Sequence, residues 1–172
     1  MDILIKTPRI IIRKFVPEEE YLYIELHKDE QVTQFINKRT EEETRKRFKE
    51  GLALHDDGSG RWAMFNASDS EFIGVCGLKP TDRGAGFVEL GYTLHQKYWG
   101  KGIAGEMAKY LIAHAFTHTP VIEITAVTKP LNVASQRVLE KTGFTRRENI
   151  IRDGEELFFF RIKKNERHGK TT

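Results

Sequence analysis

The stretch HQKYWGKGIAGEMAKYLIAHAF, residues 95–116, constrains this chain more than any other. From Ile103 onward its apolar residues fall at 103, 104, 107, 108, 111, 112, 115 and 116. That spacing is one face of an α-helix, so the segment must lay an oily stripe against another layer, with Glu106 and Lys109 turned away from it. Gly100 and Gly102 stand at the mouth of the helix and Gly105 in its first turn, with Lys97 and Lys101 beside them. The first amides of a helix have no intrahelical acceptor and carry partial positive charge. Glycine lets an anion reach such amides without a Cβ in the way, so the site suits a phosphate or pyrophosphate, and the two lysines add charge at its rim.

Three readings of these glycines compete. The nucleotide pattern GxxxxGK[ST] is absent, because no Gly–Lys pair is followed by Ser or Thr at the right spacing. The dinucleotide pattern GxGxxG is present in letters as Gly100-Lys101-Gly102-Ile103-Ala104-Gly105, and Glu123 lies near the ~20-residue offset of a ribose-binding acid. That fold needs several parallel strand–helix units with the acid at the end of its strand, whereas Glu123 starts one and few units follow. In the remaining reading the glycines merely turn the chain, a task for which one suffices.

The rest of the chain gives the helix its partners. The 172 residues fit one domain with room for a sizeable core, and a basic tail over about 165–172 is expected to fray. PRIIIRKF (8–15) reads as a strand, PEEEYLYIELHK as a helix, and TEEETRKRFKEGLALH as a second helix with Thr40 and Glu43 spaced as a capping box. DDGSG (56–60) breaks it, and RWAMFN, EFIGVCGL and GFVELGYTL follow as an antiparallel meander. After the glycine helix come the strand VIEITAV, a short helix NVASQRVLEKTGF capped by Asn132 and stopped by Gly143, and two strands flanking the turn Arg152-Asp153-Gly154. The class is α+β. No apolar run approaches the ~18 residues of a membrane helix, and the start of the chain does not read as a secretory signal. One cysteine, Cys76, precludes an internal disulfide and suits a reducing cytoplasm. A net charge of +3 with no long basic stripe speaks against nucleic acid as a partner, and the six histidines have no metal-ligand spacing, so no metal is expected. An edge strand in the C-terminal hairpin offers a surface for pairing two copies into a homodimer.

YWGKGIAGEM followed by NVASQRVLEKTGF resembles the GNAT superfamily of N-acetyltransferases, and within it the ribosomal-protein N-terminal acetyltransferases. TPRIIIRKF is similar to that branch's first strand and VELGYTL to its fourth, so the likeness runs along nearly the whole chain in order. The resemblance implies a mixed central sheet of about seven strands flanked by about four helices, with the fourth and fifth strands splayed. It implies acetyl-CoA as the donor, with its pyrophosphate on the backbone of Trp99, Gly100, Lys101, Gly102, Ile103, Ala104 and Gly105. The edge at Leu94 and the side chain of Asn132 then meet the pantetheine arm, a strand amide near Tyr92 or Thr93 faces the thioester oxygen, and Ser135 faces the sulfur. Trp99 stands where the family at large has Arg or Gln, and Leu139 where many relatives carry a tyrosine acid. The acceptor is an amine, either a protein N-terminus such as that of a ribosomal protein or a small molecule, attacking the thioester directly. A non-catalytic CoA-binding module is the alternative.

Amine acetylation needs a deprotonated acceptor, with a pKa near ~10 for a lysine-like amine and ~8 for an α-amine. It also needs a donor for the oxyanion and support for the departing thiolate. Glu89, the lone acid inside GFVELGYTL, is the candidate base, and its equal alternative is a structural acid paired with an arginine such as Arg83. Cys76 raises a covalent route, for which no histidine lies beside it in sequence. Tyr21, Tyr23, Phe35 and Trp62 serve equally as acceptor-pocket walls or as core.

Overall fold

The computed structural model describes residues 2–55 and 57–169. Strands β1 (Ile3–Lys6) and β2 (Ile10–Lys14) form a hairpin whose turn is closed by Thr7, its Oγ1 accepting from the Ile10 amide at 3.0 Å. Helix α1 (Glu20–Lys28) and helix α2 (Glu41–Ala53) follow. The capping box forms as the sequence predicts: Glu43 N–H donates to Thr40 Oγ1 at 3.2 Å and Thr40 N–H to Glu43 Oε2 at 2.7 Å. Asp56, in the predicted break after this helix, lies outside the described residues.

The meander is β3 (Gly60–Asn66), β4 (Phe72–Pro80) and β5 (Phe87–Leu94), all antiparallel neighbours. Helix α3 (Ile103–His118) carries the stripe, burying Ile103, Met107, Ala108, Leu111, Ile112, Ala115 and Phe116, with Ala104 packed at the margin. Then come β6 (Glu123–Thr128), α4 (Val133–Lys141), β7 (Thr145–Arg146), β8 (Ile150–Arg152) and β9 (Glu155–Lys163). A 3-10 turn over Lys164–Gly169 occupies most of the tail expected to fray, and residues 170–172 lie outside the described residues.

The strands run β1-β2-β3-β4-β5-β6-β9-β7, with β8 paired to β9. Among the described residues nine strands stand where about seven were expected. The N-terminal ILIK adds one, and the segment expected as a single strand over TRRENII divides into β7 and β8. Alternation along β3 assigns the two faces: Trp62 and Met64 pack with α3, and Ala63 and Phe65 pack with Tyr23, Leu26 and Phe48 of α1 and α2. Each of the larger buried side chains, such as Met64, Phe65, Leu26 and Phe48, contributes about 1.5–3 kcal/mol.

Among the described residues only one neighbouring pair is parallel, β5 with β6, and its register covers just Phe87–Glu89 against Glu123–Thr125. Beyond those residues the two strands part. A single parallel ladder is incompatible with the dinucleotide reading, and Glu123 is 2 % exposed and ion-paired to Arg83, far from free to meet a ribose.

Candidate active site

The glycines open the site. Gly100 has φ +69° and Gly102 φ +76°, left-handed values that a side chain strains to adopt. A Cβ on Gly100 or Gly105 would meet nothing within 4 Å, so the backbone here is bare from outside. Gly102 caps α3 with no side-chain cap bond, and its carbonyl takes the Glu106 amide at 3.1 Å. Among the described residues the amides of Gly100 to Gly105 donate to no acceptor. Trp99 differs: its amide already donates to the Gln96 carbonyl at 3.0 Å, so of the predicted run its N–H is spent. The Trp99 indole Nε1 donates to the Leu94 carbonyl at 2.9 Å and so staples the glycine loop to the end of β5. Lys97 is tied to Glu71 by an ion pair, which leaves Lys101 as the nearer rim charge.

The loop's shape is held from behind. Arg9, beside the first hairpin, donates Nη1 to the Lys101 carbonyl at 2.8 Å and Nε to Glu106 Oε2 at 2.7 Å, while Thr7 Oγ1 donates to Glu106 Oε1 at 2.6 Å. Burial pushes the Glu106 carboxyl up, but these bonds and the Arg9 charge outweigh it and hold the group below the usual carboxylate range. A depressed folded-state pKa contributes stability that is present above the unfolded value and lost as pH falls through the folded one. The melting-temperature gap between wild type and Glu106→Gln should therefore be wide near neutral pH and close progressively in acid. A gap independent of pH would show that Glu106 acts only by its shape.

The parting strands make a notch. Thr81 N–H donates to the Phe87 carbonyl and His95 N–H to the Ile73 carbonyl, so the odd-numbered residues of β5 bond toward β4. The even ones face the other way, as the Thr125 hydroxyl on the Val88 carbonyl confirms. Tyr92 N–H, not Thr93 N–H, is thus the strand amide that points into the notch beyond the last paired residue, and Leu94 N–H follows it. On the α3 face the Tyr92 hydroxyl lies 3.0 Å from Ser135 Oγ, and burial pushes that phenol up, with the Ser135 bond opposing. Asn132 Oδ1 accepts the Ser135 amide at 3.3 Å as the cap of α4, which leaves the amide nitrogen of its side chain for a ligand. Leu139 is 2 % exposed in the core.

On the opposite face stands Glu89. Arg152 grips it with two parallel bonds, Nη1 to Oε1 at 3.0 Å and Nη2 to Oε2 at 2.9 Å. Arg83 does not take that place: it pairs with Glu123 and stacks on Phe87, its guanidinium 4.1 Å from the ring centroid. Cys76 is fully buried and its thiol is pushed up by burial, so it is no nucleophile. Among the described residues no group of three or more His, Cys, Asp or Glu is placed to hold a metal, and no helix is long and apolar enough to cross a membrane.

The family model described as an acetyltransferase (GNAT) domain matches residues 9–145. The chain belongs to the GNAT acetyltransferases. It is 27 % identical over 175 residues to p20 of Bacillus licheniformis, an uncharacterized N-acetyltransferase, covering 95 % of this chain and 97 % of the relative. Two solved structures share the fold at lower identity. One is RimL, a ribosomal-protein α-N-acetyltransferase in complex with coenzyme A, with TM-score 0.81, 18 % identity, and 94 % and 98 % of the two chains covered. The other is the spermidine N-acetyltransferase of Vibrio cholerae in complex with CoA and spermine, with TM-score 0.77, 14 % identity, and 92 % and 98 % covered.

As a GNAT enzyme the chain is an acetyl-CoA-dependent N-acetyltransferase. Its cradle fits a diphosphate on this chain's own geometry, since only Arg9 Nη2, at 3.6 Å from the place of a Cβ on Gly102, approaches the open glycines. A groove continues from Gly105 past Arg9, Lys109, Tyr110 and Lys141, three cations around an exposed ring. Sequence reasoning did not find Tyr92 as a hydroxyl, Arg152 or this groove. The Arg152 side chain reaches across 63 positions and Tyr92 across 43, and no local pattern records such pairs.

Proposed function

We propose that this GNAT enzyme acetylates the α-amine of a protein N-terminus, such as that of a ribosomal protein, by direct attack. Bound acetyl-CoA supplies an activated acetyl group and a thiolate that must leave. The amides of Gly100 to Gly105 hold the diphosphate, and the groove cations Lys109 and Lys141 hold the remaining phosphate, with Tyr110 beside the base. Tyr92 N–H faces the carbonyl oxygen, and Ser135 Oγ, backed by the Tyr92 hydroxyl, offers its hydrogen to the sulfur. The amine approaches from the face that carries Glu89, and a water or Glu89 itself takes its proton.

One observation carries the choice of acceptor: Arg152 occupies both carboxylate oxygens of Glu89 with paired hydrogen bonds, so proton removal by Glu89 has to share the group with a guanidinium. Such a site suits an amine that is already partly neutral and needs little help to lose its proton. At pH 7 about a tenth of α-amines are unprotonated, against fewer than about one in a thousand lysine-like amines. The spermidine enzyme shares the fold and favours a second reading, a small-molecule amine as acceptor. Free-thiol release from acetyl-CoA separates the two, comparing peptides with a free N-terminus, the same peptides blocked there but carrying an internal lysine, and polyamines. Turnover of the first set alone supports the reading, and faster turnover of polyamines overturns it.

The donor half has its own test. Coenzyme A should raise the melting temperature more than dephospho-CoA does, because Lys109 and Lys141 meet the extra phosphate. In a Lys109→Ala, Lys141→Ala enzyme the two ligands should become equivalent, at a loss of roughly fivefold to twentyfold in CoA affinity.

A further inference from the structure

On the face away from α3 the sheet is bare along one row. Arg61 of β3 pairs across to Gly77 of β4, and Gly77 to Gly91 of β5. A Cβ on Gly91 would meet nothing within 4 Å, whereas one on Gly77 would meet the Gly60 carbonyl at 3.0 Å and the backbone of Arg61 at 3.6 Å; with no side chain at either position, the row stays low between the strand bearing Glu89 and Arg61, and we read it as a trough. Arg61 rises from that end beneath α2: it packs over Gly51, donates to the Arg47 carbonyl, and lies 5.7 Å from the centroid of the Tyr23 ring. Arg47 and Arg39 stand close enough for the three positive charges to act on one another.

This cluster is short of negative charge. Among the described residues none of Arg39, Arg47 and Arg61 forms a salt bridge, in contrast to Arg9, Arg13, Arg45, Arg83 and Arg152. Arg47 Nε is buried with no hydrogen-bond partner. Glu43 acts on Arg39 and Glu50 on Arg61 only through space. His27, packed on Tyr23 at 4.3 Å between ring centroids, is held below its ordinary pKa first by burial and then by the three arginines, against its bond to the Tyr23 carbonyl, and a histidine in either state supplies no negative charge to the cluster. A buried donor without an acceptor and an unpaired set of guanidiniums are what an incoming carboxylate satisfies.

We propose that Arg39, Arg47 and Arg61 form the far subsite of the acceptor trough and bind a carboxylate carried by the acceptor, so that the enzyme selects acidic amines. The proposal rests on the amine-acylation reading above and narrows its substrate. Two strand spacings separate Arg61 from Gly91, roughly 10 Å, and an extended peptide advances about 3.3 Å per residue. The carboxylate therefore belongs near the third or fourth residue of an N-terminal peptide. A cationic acceptor such as a polyamine is repelled from the same trough.

The test compares tetrapeptide amides with serine first and Asp, Asn or Lys third, under saturating acetyl-CoA. The Asp peptide should exceed the Asn peptide by about tenfold or more in kcat/KM, mainly through KM, with the Lys peptide weakest. In Arg47→Gln, whose carbonyl bond to Arg61 is retained, and in the exposed-site variant Arg39→Gln, that preference should fall to threefold or less. Equal rates for Asp and Asn, or an undiminished preference in both variants, overturns the subsite and leaves the acylation reading standing. Calorimetry with N-acetylated versions of the three peptides on CoA-saturated enzyme needs no turnover. Carboxylate-dependent binding there without any thiol release keeps the subsite and overturns the acylation reading. Faster turnover of a free dicarboxylic amino acid than of any peptide upholds the anion site and assigns it a small-molecule acceptor.

Discussion

A Gly102→Val enzyme should bind coenzyme A at least about a hundredfold more weakly than wild type and still fold. Two effects combine at this residue. Its φ of +76° is a left-handed conformation that costs a β-branched side chain about 1–2 kcal/mol, and the residue sits at the mouth of α3 where the cradle opens. A Cβ would come to 3.6 Å from Arg9 Nη2, and the valine methyls beyond it would crowd the guanidinium that holds the Lys101 carbonyl and Glu106. Losing two charge-assisted bonds at about 1.5–3 kcal/mol each accounts for the drop in affinity. The strain should lower the melting temperature by only about 3–8 °C, because no core contact is touched. Gly100→Ala is the milder comparison, strained by a φ of +69° but facing open space. Wild-type CoA affinity in Gly102→Val, measured by calorimetry, would show that the glycine cradle does not hold the coenzyme.

Tyr92→Phe and Ser135→Ala should each lower kcat by about tenfold to a hundredfold while CoA affinity stays within about twofold of wild type. The two hydroxyls stand 3.0 Å apart, and the proposed mechanism sets them beside the leaving sulfur, while Leu139, where many relatives carry a tyrosine, is buried in the core. Burial pushes the Tyr92 phenol up, so it keeps its proton through the neutral and mildly alkaline range and can donate to Ser135 Oγ, freeing the serine hydrogen for the thiolate. Groups that act as one unit are not additive, so the double variant should be no slower than the worse single one. Multiplicative losses, or a full kcat in Tyr92→Phe, would show that the pair only packs the notch.

Much of this molecule was legible locally. The stripe on α3, the Thr40–Glu43 box and the Asn132 cap all rest on contacts within four residues, and each forms where its spacing predicts. The added strand β1 escaped notice because four residues of ILIK carry too little alternation to separate a strand from a coil end. Glu89 was legible as the unusual acid of its strand, but its partner was not. Arg83 is only six positions away in sequence and turns instead to the buried Glu123, while Arg152 arrives from the last hairpin. Trp99 was read both as a departure from the family pattern and as the first amide of the pyrophosphate run; its N–H is bonded to Gln96 instead, and its indole bond to the Leu94 carbonyl gives the departure a mechanical purpose.

The three-residue ladder joining β5 to β6 has a further consequence for how the domain coheres. Five antiparallel strands on one side and the β6–β9 group on the other meet along a seam with few main-chain bonds of its own, and α3, bound to both, acts as the brace across it. This seam is the thinnest main-chain connection between the two groups of strands. A guest lying in the crease would knit the two groups together, so the protein should be at its most rigid when loaded and should loosen each time it lets its coenzyme go.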